Sequence, residues 1–352
     1  MHPFLFRLFR DNEIRVHELS YLFWECTTRC QLSCRHCGSD CGGFSREKDM
    51  PLEDFIRALD TLPREDRPDG FTVVLTGGEP LLRPDIDAVG RALQQRGIPW
   101  GMVTNGWFYD EAMHERLLRA GMRALTISLD GLEASHDWMR GRPGSYQRAL
   151  RAIGIMAAEP RINADVVTCV NQRTLSELPQ IYDLLAGMGV KQWRLFTVIP
   201  IGRAAREPQM LLGADETRAL MDFIAQKRRE WGRMKVTFSC EGYLGPYEEK
   251  VRDVRHFCRA GVNIASVLID GRISACPNID RDAFTEGNIY TDSLSEVWEH
   301  RFQRFRDRRW ARSGTCADCP QWKYCLGGGM HNWHGNPPAL LQCHFRKVSV
   351  EV

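Results

Sequence analysis

Between residues 19 and 240, segments with the hydrophobic pattern of a β-strand alternate with segments with the hydrophobic pattern of an amphipathic helix. Short runs rich in β-branched and aromatic residues predict strands at 21–25, 71–76, 100–104, 124–129, 163–170 and 192–199. Apolar residues three or four positions apart predict helices over 52–62, 86–96, 111–120, 146–157, 175–188 and 214–231. This alternation is typical of right-handed βαβ units around a parallel sheet. The units are too few for a closed eight-unit barrel, which takes about 250 residues, so we expect an α/β fold with a partial (β/α)6 barrel of the TIM type.

The alternating pattern ends near residue 235, and the remainder of the chain is rich in glycine, proline and cysteine. One clear helix is predicted there, over 293–310, from an apolar face that includes Leu294, Val297 and Trp298. Because this segment has few core residues, it requires another source of stability, which bound metal supplies. We therefore expect an N-terminal segment (1–18), an α/β domain (19–234) and a small cysteine-rich domain (235–352).

Charge and hydropathy exclude several classes of partner. The 47 basic and 45 acidic residues leave a net charge of +2, so no strong field favours nucleic acid or an anionic membrane. The six arginines of residues 301–312 are interpreted as a solvent-exposed helix face. No apolar run is long enough to cross a membrane, and Arg7 and Arg10 interrupt the apolar start, which lacks a cleavage site. We expect a cytoplasmic protein.

The number and clustering of the cysteines indicate metal binding. The chain has 13 cysteines, five of them between Cys26 and Cys41 and six between Cys258 and Cys343. An odd number cannot pair completely, and such clusters in a long chain without an export signal indicate metal ligands rather than disulfides. Cys26, Cys41 and Cys169 are interpreted as small buried thiols.

One triple in the first cluster has the spacing C-x3-C-x2-C, and it consists of Cys30, Cys34 and Cys37. Thiolates ligate iron–sulfur cubes, which usually take four protein ligands, so three leave one iron open to a small molecule. The loop follows the first predicted strand, at the end of the sheet where α/β barrels carry their active sites. Structural zinc, with His36 or Cys41 as the fourth ligand, is the alternative.

This motif resembles that of the radical S-adenosylmethionine (SAM) superfamily, and further segments agree with it. The resemblance implies that Cys30, Cys34 and Cys37 hold a [4Fe–4S] cluster that binds SAM, with a 5′-deoxyadenosyl radical as the product of its reduction. It implies the following SAM-binding residues: Gly77, Gly78, Glu79 and Pro80 at the methionine amino group; Ser128 and Asp130 at the ribose; Arg140 at the carboxylate; Ile199 near the adenine; and Asn105. Glycines permit close backbone approach, and Glu79 is able to accept a hydrogen bond from an ammonium group.

The second cysteine cluster resembles the SPASM extension of radical SAM maturases, which carries auxiliary [4Fe–4S] clusters. The resemblance implies that Cys316, Cys319, Cys325 and Cys343 ligate one cluster, and that Cys258 and Cys276 belong to a second. Glycine stands at position 329, where the family pattern has cysteine. The chain therefore holds one or two auxiliary clusters: the second position is vacant, is completed by Cys240 or a histidine such as His256, or holds a cluster with one iron open to substrate. A zinc knuckle built on Cys316 and Cys319 is the alternative.

These resemblances predict a radical SAM enzyme that modifies a peptide or protein by crosslinking, epimerisation or oxidation. The alternative substrate is a small molecule such as an aminoglycoside, and a remoter alternative is a non-catalytic electron-transfer or zinc-stabilised binding protein. An electron donor such as flavodoxin or ferredoxin is implied. Cys169 and Cys240 are further candidates for a hydrogen donor.

Overall fold

Helices and strands follow one another along most of the chain in this computed structural model, which describes residues 2–42, 48–63, 67–230 and 232–349. The helices are α1 Pro3–Val16, α2 Leu52–Leu59, α3 Ile86–Gln95, α4 Glu111–Arg119, α5 Glu133–Arg140, α6 Ser145–Ala157, α7 Gln172–Leu175, α8 Leu178–Gly187, α9 Ala214–Arg229, α10 Glu248–Val251, α11 Leu294–His300, α12 Gln303–Arg306, α13 Trp322–Cys325 and α14 His344–Val348. The strands are β1 Tyr21–Thr27, β2 Thr72–Gly77, β3 Trp100–Thr104, β4 Met122–Ser128, β5 Asn163–Val170, β6 Gln192–Thr197, β7 Lys235–Phe238, β8 Ile264–Val267, β9 Arg272–Ser274, β10 Thr285–Asn288, β11 Trp333–His334 and β12 Ala339–Leu340. The predicted strands and helices of the α/β region are all present.

Residues 27–48 and 74–239 form one compact unit, here called the α/β unit. Its strands lie in the order β2-β3-β4-β5-β6-β7, and the pairs from β3 to β7 are parallel. Helices bury one apolar stripe; in α6 it includes Ala149, Ile153 and Met156. Parallel pairing brings the carboxyl ends of successive strands to one edge, and there Thr104 pairs with Ile127. The predicted α/β fold is confirmed.

Residues 1–26, 49–73 and 240–352 form the second compact unit, here called the cysteine-rich unit. In it β1 pairs in parallel with β8, and β9 joins β8 and β10 by antiparallel pairing. Helix α1 belongs to this unit: the rings of Phe6 and Phe257 are 6.2 Å apart, and Arg10 Nη1 donates to the carbonyl of Lys323 over 2.9 Å. The N-terminal segment, expected to be separate, thus packs on the cysteine-rich region.

The helix predicted over 293–310 is divided, because α11 ends at His300 and α12 covers only Gln303–Arg306. Arg306 is buried and donates hydrogen bonds to the carbonyls of Gly261, Trp298 and Glu299. Arg308 is buried too and donates to the carbonyl of Gly328. The interpretation of this segment as a solvent-exposed arginine face is therefore wrong for these two side chains, which satisfy backbone carbonyls inside the unit.

Among the described residues, no helix combines the length and the apolar character that a membrane crossing requires.

Candidate active site

Cys30, Cys34 and Cys37 lie together in the loop that follows β1. They share one apolar cluster with Leu32 and Cys41, and the partly buried Trp107 packs against it. Cys30 and Cys34 are buried and Cys37 is half-buried. The structure therefore brings together the three thiols that the sequence singled out.

Backbone hydrogen bonds hold this loop against α5 and against the segment after β6. Ser33 N donates to the carbonyl of Arg140 over 3.2 Å. Arg203 donates from its backbone N to the carbonyl of Cys37 over 3.0 Å and from Nε to the carbonyl of Cys34 over 2.6 Å. Because segments distant in sequence fix its backbone, the loop presents its thiols in one defined arrangement.

Each of the three sulfurs faces a polar group. Asn105 Nδ2 donates to Cys30 Sγ over 3.8 Å, and Arg140 Nη1 donates to Cys34 Sγ over 3.7 Å. A hydrogen bond from Cys41 lowers the pKa of the Cys37 thiol to about 6, against the effect of burial. Donors aimed at sulfur stabilise thiolates, the form that ligates iron.

The Gly77–Gly78 turn lies directly on the start of the cysteine loop. Gly77 has a φ of 122°, a conformation that favours glycine. A Cβ built on Gly78 would lie 2.2 Å from the carbonyl oxygen of Arg29, and Glu79 N donates to that same oxygen over 2.9 Å. Glycine at position 78 is required because this approach leaves no room for a side chain.

The carboxylate of Glu79 is fully buried and accepts three hydrogen bonds from the protein. Oε1 accepts from Thr104 Oγ1 over 2.7 Å and from Leu81 N over 3.1 Å, and Oε2 accepts from Asn105 N over 2.9 Å. Burial raises the pKa of this carboxyl, and the three donors oppose that shift. Glu79 therefore ties the turn after β2 to the end of β3, a role that the sequence alone did not indicate.

We predict that Glu79→Gln weakens SAM binding by about 1.5–3 kcal/mol, the range for hydrogen bonds to charged groups. The amide replaces an accepting oxygen by a donor that faces protein donors, so thermal stability falls as well, while cluster content stays intact. Calorimetric titration with SAM and a melting curve measure both effects. Thr104→Val, which removes one donor, is the milder control, and unchanged SAM affinity in Glu79→Gln would contradict the prediction.

Asp130 and Arg140 form a buried ion pair beside the cysteine loop. Arg140 Nη2 lies 2.6 Å from Asp130 Oδ2, and Asp130 Oδ1 accepts from Cys169 N over 2.9 Å. Burial disfavours the charged carboxylate, but the Arg140 guanidinium outweighs it and the pKa of Asp130 is lowered. Side-chain ligand atoms of His36, Asp130 and Cys169 all lie within 4.8 Å of one another. His36 therefore faces Asp130, an arrangement that the sequence did not suggest.

The remaining predicted residues lie on the segments around this loop. Ser128 ends β4 and is buried, and Pro80 begins the single 3-10 turn after Glu79. Ile199 follows β6 and accepts a hydrogen bond from Ile201 N over 2.8 Å. A Cβ built on the neighbouring Gly202 would lie 2.4 Å from the carbonyl oxygen of Cys37, so this segment also approaches the loop closely.

The residues present fit an iron–sulfur cube with a chelating ligand. Three buried polar atoms, Arg140 Nε, His36 Nδ1 and Gln31 Oε1, have no hydrogen-bond partner within the part of the chain that the structure describes. Such atoms are rare in folded proteins and indicate a missing partner. Together with three thiols and two N–H groups aimed at sulfur, they match the donor set that a cluster and a polar cosubstrate require.

A second group of four cysteines, Cys316, Cys319, Cys325 and Cys343, lines one cavity of about 360 Å³ in the cysteine-rich unit. Burial raises the pKa of the Cys325 thiol to about 12, and the other three thiolates act in the same direction. Thiols that close to one another repel as thiolates unless a metal neutralises them. The structure therefore brings together the complete set predicted for one auxiliary cluster.

Cys276 forms a third group with Cys240 and Cys258. Burial and then the charges of Cys240 and Cys258 raise the pKa of Cys276 to about 12. Met330 N donates to Cys258 Sγ over 3.4 Å, which places the segment after Gly329 against this group. Of the two residues proposed to complete the set, Cys240 is thus brought to it.

Comparisons with known proteins identify a family for each of two regions of the chain. A family model described as "Radical SAM superfamily" matches residues 24–185, and a model of the SPASM "iron-sulfur cluster-binding domain" matches residues 258–320. Each range lies inside one domain predicted from the sequence, and the exact domain boundaries stay predictions.

Three similar proteins cover most of the chain. The AdoMet-dependent heme synthase of Nitratidesulfovibrio vulgaris is 25% identical over 86% of this chain and 85% of its own length. The mycofactocin maturase of Mycolicibacterium smegmatis is 28% identical over 88% of this chain and 77% of its own. The structure of Streptococcus suis SuiB bound to precursor peptide SuiA has a TM-score of 0.68 at 16% identity, over 90% of this chain and 74% of that chain.

Proposed function

The chain belongs to the radical SAM superfamily and carries a SPASM-type iron–sulfur domain, and from this premise we propose that its substrate is a peptide or protein. When bound, a [4Fe–4S] cluster held by Cys30, Cys34 and Cys37 would pass one electron from a donor to SAM and so supply, with release of methionine, a 5′-deoxyadenosyl radical for hydrogen abstraction from the substrate. The modification is a crosslink, an epimerisation or an oxidation of a side chain.

The observation that carries the choice of substrate is the likeness to SuiB, whose structure contains a precursor peptide. That likeness extends over 90% of this chain, so it includes the α/β unit and the cysteine-rich unit alike. That likeness shows a shared fold, and the 28% identity to a mycofactocin maturase over 88% of this chain supports the same choice of substrate.

Within this proposal, the cysteine loop holds the cluster and the strand ends hold SAM. Cys30, Cys34 and Cys37 are the cluster ligands, and Asn105 and Arg140 stabilise the Cys30 and Cys34 thiolates by N–H to sulfur contacts. The SAM-binding set is the one implied by the motifs: Gly77, Gly78, Glu79, Pro80, Asn105, Ser128, Asp130, Arg140 and Ile199. The polar side chains of this set (Glu79, Asn105, Ser128, Asp130 and Arg140) are buried, which limits the access of water to the reacting centre.

Two of these residues have narrower roles than their motifs imply. Arg140 keeps an unpartnered buried Nε for the SAM carboxylate, while Asp130 neutralises its charge. Oε1 of Glu79 accepts two protein hydrogen bonds but Oε2 only one, so we assign the contact with the SAM ammonium to Oε2. A one-electron donor of the flavodoxin or ferredoxin type completes the system.

A tetrapyrrole is the second candidate substrate, and a specific observation favours it. Heme synthases from Nitratidesulfovibrio vulgaris and Methanosarcina barkeri are 25% and 26% identical to the chain over 86% of its length. The small-molecule alternative therefore takes the form of a tetrapyrrole rather than an aminoglycoside.

Stimulation of 5′-deoxyadenosine formation distinguishes the two candidates. The reconstituted enzyme is incubated anaerobically with SAM and dithionite, alone, with the polypeptide fraction of its host cells, or with iron coproporphyrin III. We expect the polypeptide fraction to raise the rate by about tenfold, which corresponds to about 1.4 kcal/mol of activation free energy, and protease digestion to remove the effect. If only the tetrapyrrole raises the rate of 5′-deoxyadenosine formation, the polypeptide proposal is wrong and the tetrapyrrole is the substrate.

A further inference from the structure

Position 329 departs from the family pattern, and the structure shows what occupies the space of the missing cysteine. We infer that His331 is a ligand of the second auxiliary cluster, together with Cys240, Cys258 and Cys276. The inference goes beyond the proposed function: it requires the second auxiliary cluster and does not depend on the identity of the substrate.

The imidazole of His331 lies where a side chain at position 329 would project. A Cβ built on Gly329 would be 2.5 Å from His331 Cε1, 3.0 Å from His331 Nε2 and 2.5 Å from the carbonyl oxygen of Glu241. A cysteine at 329 and the present position of His331 are therefore mutually exclusive. Gly329 leaves the room that the histidine ring occupies, so one ligand type replaces the other.

The segment that carries His331 lies against the cysteines of this group. Met330, the residue before it, donates its backbone N–H to Cys258 Sγ over 3.4 Å. Cys276 is close enough to Cys240 and Cys258 for their charges to act on it. Asn332 Nδ2 donates to the carbonyl of Glu241, the residue after Cys240, over 2.9 Å. Cys240 and Cys258 thus flank the 329–332 segment, and with Cys276 they leave one ligand lacking for a closed cube.

The Nε2 atom of His331 is able to ligate iron. The side chain is buried, and its Nε2 has no hydrogen-bond partner among residues 2–42, 48–63, 67–230 and 232–349. Buried nitrogen atoms without a partner are rare, and a neutral imidazole nitrogen is an accepted ligand of iron–sulfur clusters, where it raises the reduction potential. A cluster with three thiolates and one imidazole accounts for this unpartnered atom.

His256 is the matched control, because its Nε2 is also buried and unpartnered in the described part of the chain. Its backbone N donates to Glu248 Oε2 over 2.6 Å, and the His256 ring interacts electrostatically with His331 itself. His256 therefore shares the burial and the neighbourhood of His331 but lacks the overlap with a side chain at position 329.

The test combines nitrogen labelling with pulsed electron paramagnetic resonance of the reduced protein. Replacing Cys30, Cys34 and Cys37 by alanine first removes the SAM-binding cluster, which leaves the auxiliary clusters alone. In this background, protein grown with 15N-histidine should show a nitrogen coupling that differs from that of the unlabelled protein. The coupling should disappear in His331→Ala and persist in His256→Ala.

A second variant keeps the test decisive where His331→Ala fails to hold the cluster. In His331→Cys, which keeps a ligand at position 331, a thiolate should restore the irons that His331→Ala loses, about four per chain, with no histidine coupling and a lower reduction potential. Absence of any histidine coupling in the parent background, its loss in His256→Ala instead, or failure of His331→Cys to recover iron that His331→Ala loses would each overturn the inference.

Discussion

Replacement of Cys30, Cys34 and Cys37 by alanine should abolish the reductive conversion of SAM to 5′-deoxyadenosine. These three thiols share one cluster of side chains at the end of β1, and the chain offers no other set with the C-x3-C-x2-C spacing. With three cubes present, iron should fall from about 12 to about 8 per chain, because each cube holds four. Chromatography of the quenched reaction and iron and sulfide determination measure the two results.

Cys41→Ala is the control for this prediction. Cys41 is buried in the same cluster and hydrogen-bonds Cys37, yet no motif makes it an iron ligand. We expect this variant to keep its iron and to cleave SAM. The assignment of the three ligands would be wrong if the triple variant still produced 5′-deoxyadenosine, and zinc in place of the remaining iron would contradict the auxiliary clusters.

Arg140→Met should lower the free energy of unfolding by about 3–5 kcal/mol, the cost of leaving a buried charge without its partner. Arg140 and Asp130 are both buried, with 2.6 Å between Nη2 and Oδ2. The variant should also lose SAM binding, since Arg140 contacts Cys34 and keeps Nε unpartnered. Anaerobic chemical denaturation followed by tryptophan fluorescence measures the loss of stability.

Two comparisons separate this effect from loss of an ordinary ion pair. Arg151→Met removes an exposed pair with Glu111 and should cost only about 0–1 kcal/mol. The double variant Arg140→Met/Asp130→Leu removes both buried charges and should be more stable than Arg140→Met alone. A loss below about 1 kcal/mol in Arg140→Met would contradict the buried pair as a structural element.

The α/β region could be predicted from sequence because each element has a local signal. Strand β5 and helix α6 carry their own periodicity, and the order of the elements then implies the parallel sheet. Helix α1 was missed as part of the cysteine-rich unit, since its attachment depends on tertiary contacts such as Arg10 with the carbonyl of Lys323. No periodic pattern in the sequence encodes a contact across more than 300 positions.

The cysteines of the site could also be predicted, because spacing in the chain specifies them. The roles of Glu79 and Arg306 could not, since a charged residue gives no sign of whether it meets solvent, a ligand or backbone groups. His331 carried a weak signal, a histidine two residues after the position where the family has cysteine. From the sequence, His256 is the histidine proposed, because only the structure shows that the ring of His331 lies in the space beside Gly329.

Deuterium transfer tests the central claim most directly. Host cells are grown in deuterated medium, and their polypeptide fraction is incubated with the reconstituted enzyme, unlabelled SAM and dithionite in ordinary water. If the chain abstracts hydrogen from a polypeptide, 5′-deoxyadenosine should contain deuterium, as measured by mass spectrometry. Vigorous formation of 5′-deoxyadenosine without deuterium, together with deuterium transfer from the tetrapyrrole fraction of the same cells, would contradict the account.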